Sequence, residues 1–153
     1  MQSIKLSQFN LAANRAHIRV KRWKDGAIVL TSLRPMICLR LTNFKNADWF
    51  NKSAICCYLA GREKWPPLKE FTDAALGDEQ TSIALKKHRF LKLTSSSELQ
   101  KAVSVIIKFG WCVDNDIYIF DVIGRWMWYV GHDTLLIYLN SNKPQKKNLK
   151  LDK

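Results

Sequence analysis

Glycine and proline are scarce in this sequence, with six Gly and four Pro among 153 residues. A collagen-like or low-complexity chain needs many more of both, and no fixed-period repeat is visible. The N-terminal stretch MQSIKLSQFNLAANRAH lacks an apolar segment of signal-peptide length. The longest uncharged apolar run, residues 53–61, is too short to span a bilayer. We therefore expect a cytoplasmic protein.

The four cysteines are Cys38, Cys56, Cys57 and Cys112, and they have no paired metal-ligand spacing. A zinc site or a disulfide would be the functional interpretation. Because all four lie inside apolar runs, we expect buried free thiols that behave as small hydrophobic side chains. The sequence predicts no metal site and no cofactor.

Acidic residues are also in deficit, and the net charge is +12. Residues 1–93 carry 17 Lys or Arg against 7 Asp or Glu, whereas residues 94–139 carry 3 against 5. Residues 140–153 carry 5 against 1. A basic N-terminal half thus adjoins a mildly acidic C-terminal module. A basic surface favours anionic partners such as nucleic acid, anionic lipid or an acidic protein.

What the chain has in abundance is aromatic residues, and these concentrate in IYIFDVIGRWMWYVGHDTLLIYL, residues 117–139. The pattern predicts a three-stranded meander that is apolar on both faces. Strands that face water on one side alternate apolar with polar residues. This sheet must therefore be covered on both sides, by its own chain or by a partner.

A helix is predicted just before that block. Ser95 and Glu98 form a capping-box pattern, and Gly110 is a typical helix stop. The intervening aliphatic residues recur at helical spacing, which predicts one apolar stripe that covers the C-terminal sheet; they are Leu99, Ala102, Val103, Ile106 and Ile107.

The N-terminal half is less sharply patterned. Residues 16–43 suggest a first meander, with a tight turn at Lys24–Gly26 and a break at Arg34-Pro35. Residues 47–60 fit either a helix or a buried strand, and the Asp48 start and Gly61 stop favour the helix. Residues 68–76 suggest a short helix, and residues 81–93 an extended segment. Residues 1–140 are expected to form one α+β domain, and residues 141–153 a basic disordered tail.

Four aspartates surround the C-terminal meander: Asp114, Asp116, Asp121 and Asp133. Metal binding, acid–base catalysis and an acidic recognition patch are alternatives to ordinary turn chemistry, which favours Asp. The D-N-D sequence is too short for a calcium loop. Three histidines, His17, His88 and His132, could serve a small ribonuclease, but none lies in a recognised catalytic motif.

Basic residues interleave with an aromatic residue at Arg19, Lys21, Arg22, Trp23 and Lys24. Such a strand can hold a phosphate backbone and stack a base. Charges on an edge strand also simply keep that edge solvated and block aggregation. A nucleic-acid-binding module is the alternative function that follows from this stretch.

The order helix, Gly110, Trp111, acidic turn and then the aromatic meander resembles small bacterial immunity-type proteins, over about residues 95–139. That resemblance implies a non-enzymatic cytoplasmic inhibitor that binds a cognate toxin, expected to be a nuclease domain, and blocks its active site. The basic character of the chain implies a toxin with an acidic contact surface, or contact through the acidic C-terminal module alone. The toxin-binding residues predicted on this basis are Asp114, Asp116, Asp121, Arg125, His132 and Asp133.

Overall fold

The computed structural model describes residues 1–23, 28–41, 56–61, 79–110, 116–131 and 134–141. The strands are β1 (Gln2–Ser3), β2 (Ile18–Arg22), β3 (Ile28–Ser32), β4 (Met36–Arg40), β5 (Cys57–Ala60), β6 (Phe90–Leu93), β7 (Ile117–Asp121), β8 (Trp126–Gly131) and β9 (Thr134–Asn140). The helices in these ranges are α1 (Leu6–Arg15), α2 (Glu79–Lys87) and α3 (Ser96–Gly110).

Seven strands form one antiparallel sheet in the order β1-β6-β5-β7-β8-β9-β4, and β2 and β3 form a separate hairpin. The predicted C-terminal meander is confirmed as β7-β8-β9 at the centre and one side of the large sheet. The predicted α+β class and the single-domain architecture are confirmed as well. The first predicted meander divides, because its third strand, β4, pairs with β9 and not with β3.

One face of the sheet is covered by α2 and α3. Leu99, Ala102, Val103 and Ile106 of α3 are all buried against strand residues that include Trp128. The side chain of Ile107 is outside those described. The predicted cap is present, since Ser95 Oγ accepts the backbone N–H of Glu98 at 3.1 Å. The Glu98 carboxylate reaches Thr94 N at 2.9 Å instead of the Ser95 amide, and it also accepts a hydrogen bond from the Met1 amino group at 2.6 Å.

The opposite face is covered by α1 and the β2–β3 hairpin. Phe9 of α1 lies between the rings of Phe90 and Phe120, with centroid separations of 4.9 and 5.5 Å. Ile18 and Leu30 of the hairpin are buried in the same cluster. The expectation that the sheet is covered on both faces is therefore confirmed, and the cover comes from the chain itself. Trp126 and Trp128 are both buried.

Several local predictions are wrong. Residues 57–60 form strand β5 and not a helix, because they pair with β6 on one side and β7 on the other. Residues 81–87 belong to helix α2 and are not extended, since Leu85 packs into the core beside α3. The sequence pattern also did not predict α1. Cys38 is exposed and Cys56 half-buried, whereas Cys57 is buried as expected, and these three described cysteines are free.

Other predictions concern parts of the chain outside the described residues. These are the turn at Lys24–Gly26, the start of the segment 47–60, the helix 68–76, Cys112 and the tail from 142 onward.

Candidate functional site

The β2–β3 hairpin presents exposed cations, and its geometry follows from strand alternation. Ile18 pairs with Ser32 and Val20 with Leu30, so the apolar members of β2 and β3 share the face that packs on the core. Arg19 and Lys21 lie on the opposite face, because side chains alternate along a strand, and both are exposed. The hairpin thus presents cations outward while its inner face anchors it.

At the end of β2 the cations meet an aromatic ring. Trp23 is 51% exposed, which is a large apolar surface left in water. The Lys21 ammonium lies 4.3 Å from the centroid of the Trp23 ring, within cation–π range. Arg22, between them, is exposed. We call the group Arg19, Lys21, Arg22 and Trp23 the cationic hairpin; Lys24, predicted with it, is outside the described residues.

A cavity adjoins the cationic hairpin and extends it toward α1. It has a volume of about 290 Å³ and is lined by Asn10 and Asn14 of α1, by Arg19 of β2 and by Leu33 just after β3. Leu33 is 56% exposed. Amide groups, a guanidinium and an apolar side chain thus surround one depression, which could receive a side chain of a partner. We call it the β2 cleft.

Positive charge predominates in the part of the chain that forms this surface. Residues 1–41 contain eight Lys or Arg and a single acidic residue, Asp25. Every Lys or Arg described within β2 lies on the exposed surface. Charges gathered on one surface raise the local concentration of an oppositely charged partner and speed its association. The signal for this site was visible in the sequence as the alternation of cations with Trp23.

Asp121, which was predicted to belong to an acidic recognition patch, lies inside the protein. Asp121 has a relative exposure of 0%. Its carboxylate accepts hydrogen bonds from Arg125 Nε at 2.7 Å, from Arg125 Nη2 at 2.9 Å and from the Arg125 backbone N–H at 3.1 Å. A carboxylate so enclosed closes the β7–β8 turn, and we therefore assign Asp121 a structural role.

The same turn is fixed against α1 by a glycine. Gly124 has a φ of +75°, a conformation that side chains other than Gly adopt at a cost, and its amide donates to the Asp121 carbonyl at 2.9 Å. A Cβ at this position would collide with the backbone carbonyl of Ala16. The ion pair of Arg125 with Asp121, which leaves the arginine side chain 32% exposed, holds the turn from the other side.

Asp116 also has a hydrogen-bond partner within the protein. Its carboxylate accepts the hydroxyl of Tyr129 at 2.7 Å, and the Tyr129 ring lies 4.9 Å from that of Tyr118. Burial, with the negative charge of Asp116 as a further cause, raises the pKa of Tyr118 to about 12 and moves the pKa of Tyr129 above its ordinary range. Asp116 is half-buried, and the hydrogen bond directs its carboxylate toward the sheet.

The remaining predicted site residues, Asp114, His132 and Asp133, are outside the described residues. Of the other two histidines, His17 joins α1 to β2 and His88 lies between α2 and β6. Among described residues, no group of three or more His, Cys, Asp or Glu side chains could hold a metal ion. No helix within the described ranges is long and apolar enough to cross a membrane.

Comparison of the chain with protein-family models, curated proteins and solved structures finds no match.

Proposed function

We propose that this protein is a non-enzymatic cytoplasmic immunity protein that binds a cognate bacterial toxin one-to-one and blocks the toxin's active site, with the cationic hairpin as its contact surface. The class of function rests on the resemblance of residues 95–139 to immunity-type proteins. The contact surface rests on one observation: Arg19, Lys21, Arg22 and Trp23 are exposed together on a hairpin whose other face is anchored in the core.

The side-chain chemistry suits an interface. Trp and Arg are the residues most enriched among those that dominate binding energy, especially where they fill a pocket. Trp23 can bury its exposed ring against the partner, and the β2 cleft can accept a partner side chain in return. The surrounding cations would steer and orient an acidic toxin surface. Of the acidic residues first predicted to bind toxin, Asp121 is buried and Asp116 is bound to Tyr129.

The test uses the proposed cognate toxin, for which the product of the neighbouring gene is the first candidate, produced in the same bacterial cells. Cells that express both proteins are expected to grow, and the two proteins are expected to co-purify. The variant Arg19→Glu/Lys21→Glu/Arg22→Glu should remain folded and lose both growth protection and capture.

A matched control reverses three exposed cations elsewhere, as Arg40→Glu/Lys87→Glu/Lys101→Glu, so that both variants have the same net charge. The control should protect as well as the parent protein does. Equal loss in both variants would assign the effect to net charge alone. Full protection by the hairpin variant would contradict the proposed surface.

A second candidate function is nucleic-acid binding by the same hairpin. The observation that favours it is the Lys21 ammonium placed over the exposed Trp23 ring, since single-strand binders combine backbone cations with aromatic stacking. A mixed-sequence single-stranded oligonucleotide is the probe. Three phosphate contacts predict a logarithmic salt dependence of the binding constant with a slope of about −2. Tight, sequence-selective binding that persists at high salt would place this function first.

A further inference from the structure

A second cavity lies on the α1 side of the sheet, away from the cationic hairpin, and has a volume of about 260 Å³. One wall is α1, which contributes Gln8, Leu11, Ala12 and Arg15. These residues recur at intervals of three or four, so they share one face of the helix. We call this space the α1 cavity.

The floor of the α1 cavity is a row across three strands of the sheet. Gln2 of β1 pairs with Lys92 of β6, and Lys92 pairs with Tyr58 of β5. Residues directly opposite one another on adjacent strands share a face, so the three side chains lie side by side. Ile4 and Val122 complete the lining. The positions of these three side chains are therefore determined by the register of the sheet.

The helix wall and the sheet floor of the α1 cavity each contribute a cation. Arg15 comes from the helix and Lys92 from the sheet, and the described lining residues include no carboxylate. Burial and the adjacent Cys56 thiol raise the pKa of Tyr58, while the positive charge of Arg15 opposes that rise. Arg15 and Tyr58 both line the α1 cavity, so a guanidinium and a phenol hydroxyl belong to the same site.

The rest of the lining is apolar. Ile4, Leu11, Ala12 and Val122 supply aliphatic surface, and Leu11 leaves 52% of its own surface in water. The Tyr58 ring stacks on Phe120 at a centroid distance of 5.4 Å, which fixes the position of its hydroxyl. A cavity of about 150 Å³ can accept benzene. The α1 cavity therefore has room for a small organic molecule.

We infer that the α1 cavity is a binding site for a small amphipathic anion, whose carboxylate lies between Arg15 and Lys92 and whose aliphatic part contacts Leu11 and Val122. The two cations complement one negative charge, and charge-assisted hydrogen bonds to a carboxylate are the strong ones. The amides of Gln2 and Gln8 supply further donors. This site is independent of the proposed toxin contact, since it uses none of the cationic hairpin residues.

The probe is octanoate, measured by isothermal titration calorimetry, with octylamine as the same chain carrying the opposite charge. Octanoate should bind saturably at one site, and octylamine should not. Arg15→Met/Lys92→Met should weaken octanoate binding about tenfold or more, because each substitution removes a charged donor. The control Lys101→Met, an exposed cation on α3, should leave it unchanged.

A second pair of variants tests the mouth of the cavity without touching its buried parts. Both Leu11→Asp and Leu11→Lys remove the aliphatic contact with the ligand, but only the aspartate repels its carboxylate, so Leu11→Asp should weaken octanoate binding more than Leu11→Lys does. Circular dichroism of each variant checks that it is folded. The inference is overturned if octanoate shows no saturable binding, if octylamine binds equally well, or if the double variant binds octanoate like the parent protein.

Discussion

The ion pair in the β7–β8 turn gives the sharpest stability prediction. Asp121 is fully buried, and Arg125 supplies two side-chain hydrogen bonds and one backbone hydrogen bond to its carboxylate. Arg125→Met keeps the length of the side chain but removes the charge and the two side-chain donors. Of the three hydrogen bonds described for this buried carboxylate, only the one from the backbone amide remains. Removing one partner of a buried pair costs about 3–5 kcal/mol.

The coupling free energy between substitutions at Arg125 and Asp121 distinguishes loss of the ion pair from simple loss of packing. Asp121→Asn in the Arg125→Met background removes the unpaired charge, and the amide oxygen can still accept the backbone N–H. We therefore expect the double variant to be more stable than Arg125→Met alone, a non-additive result that contacting residues produce.

The assay is urea unfolding followed by tryptophan fluorescence, which reports on the buried Trp126 and Trp128. Arg40→Met, at an exposed arginine, is the control and should change the free energy of unfolding by less than about 0.5 kcal/mol. A cost below about 1 kcal/mol for Arg125→Met, or a double variant no more stable than the single one, would refute the reasoning.

Three further predictions concern the core, the turn and alkaline stability. Ile106→Ala should cost about 2–5 kcal/mol in urea unfolding, because the side chain is fully buried, whereas exposed Lys101→Ala should cost less than about 0.5 kcal/mol. Gly124→Ala should cost about 2 kcal/mol or more, from the positive φ and the contact with Ala16; a neutral result would contradict the turn geometry. The pKa of Tyr118 is raised to about 12, above its unfolded value of about 10, so the folded state holds this proton more tightly. Its contribution to stability should be full below pH about 10 and decline toward pH about 12, as phenolate absorbance and fluorescence can show together; loss of stability on acidification of the same range would contradict the sign.

The elements predicted best are those whose signals are local and redundant. Helix α3 has a cap, a wide aliphatic stripe and a Gly stop, all of which agree. The β7-β8-β9 meander has apolar residues on both faces, and this pattern correctly required cover on both sides. Helix α3 was correctly predicted to cover one face. The cover of the other face could not be assigned from sequence, because α1 reaches the sheet through contacts between distant parts of the chain, such as Phe9 with Phe120.

The failures arise where long-range pairing decides the outcome. Residues 57–60 are too short for periodicity to separate helix from strand, and pairing with β6 and β7 settles them as β5. Helix α2 was missed although six of its nine residues are strong helix formers; the extended prediction started at Thr81, two residues after the helix begins, and Leu85 packs into the core beside α3. Strand β4 follows β3 closely in sequence, yet it pairs with β9, about 100 residues later.

Among the candidate sites, too, those that depend on local sequence rules were predicted and those that depend on long-range contacts were not. The cationic hairpin was visible as Arg19, Lys21, Arg22 and Trp23 because strand alternation is a local rule. The burial of Asp121 was not visible, since an aspartate beside a turn usually faces water. The α1 cavity was missed, because the row of Gln2, Lys92 and Tyr58 exists only through the register of β1, β6 and β5.

Hydrogen exchange of this protein, alone and with its proposed cognate toxin, reports directly on which surface binds. Backbone amides of a strand at a surface exchange more slowly when a partner covers them. We predict slower exchange in peptides that cover Ile18–Arg22 and Ile28–Ser32, with little change in β9. Protection confined to residues 111–116 and 132–133, with the hairpin unchanged, would contradict the proposed contact surface. It would instead support toxin binding at the acidic loops, as the sequence first predicted.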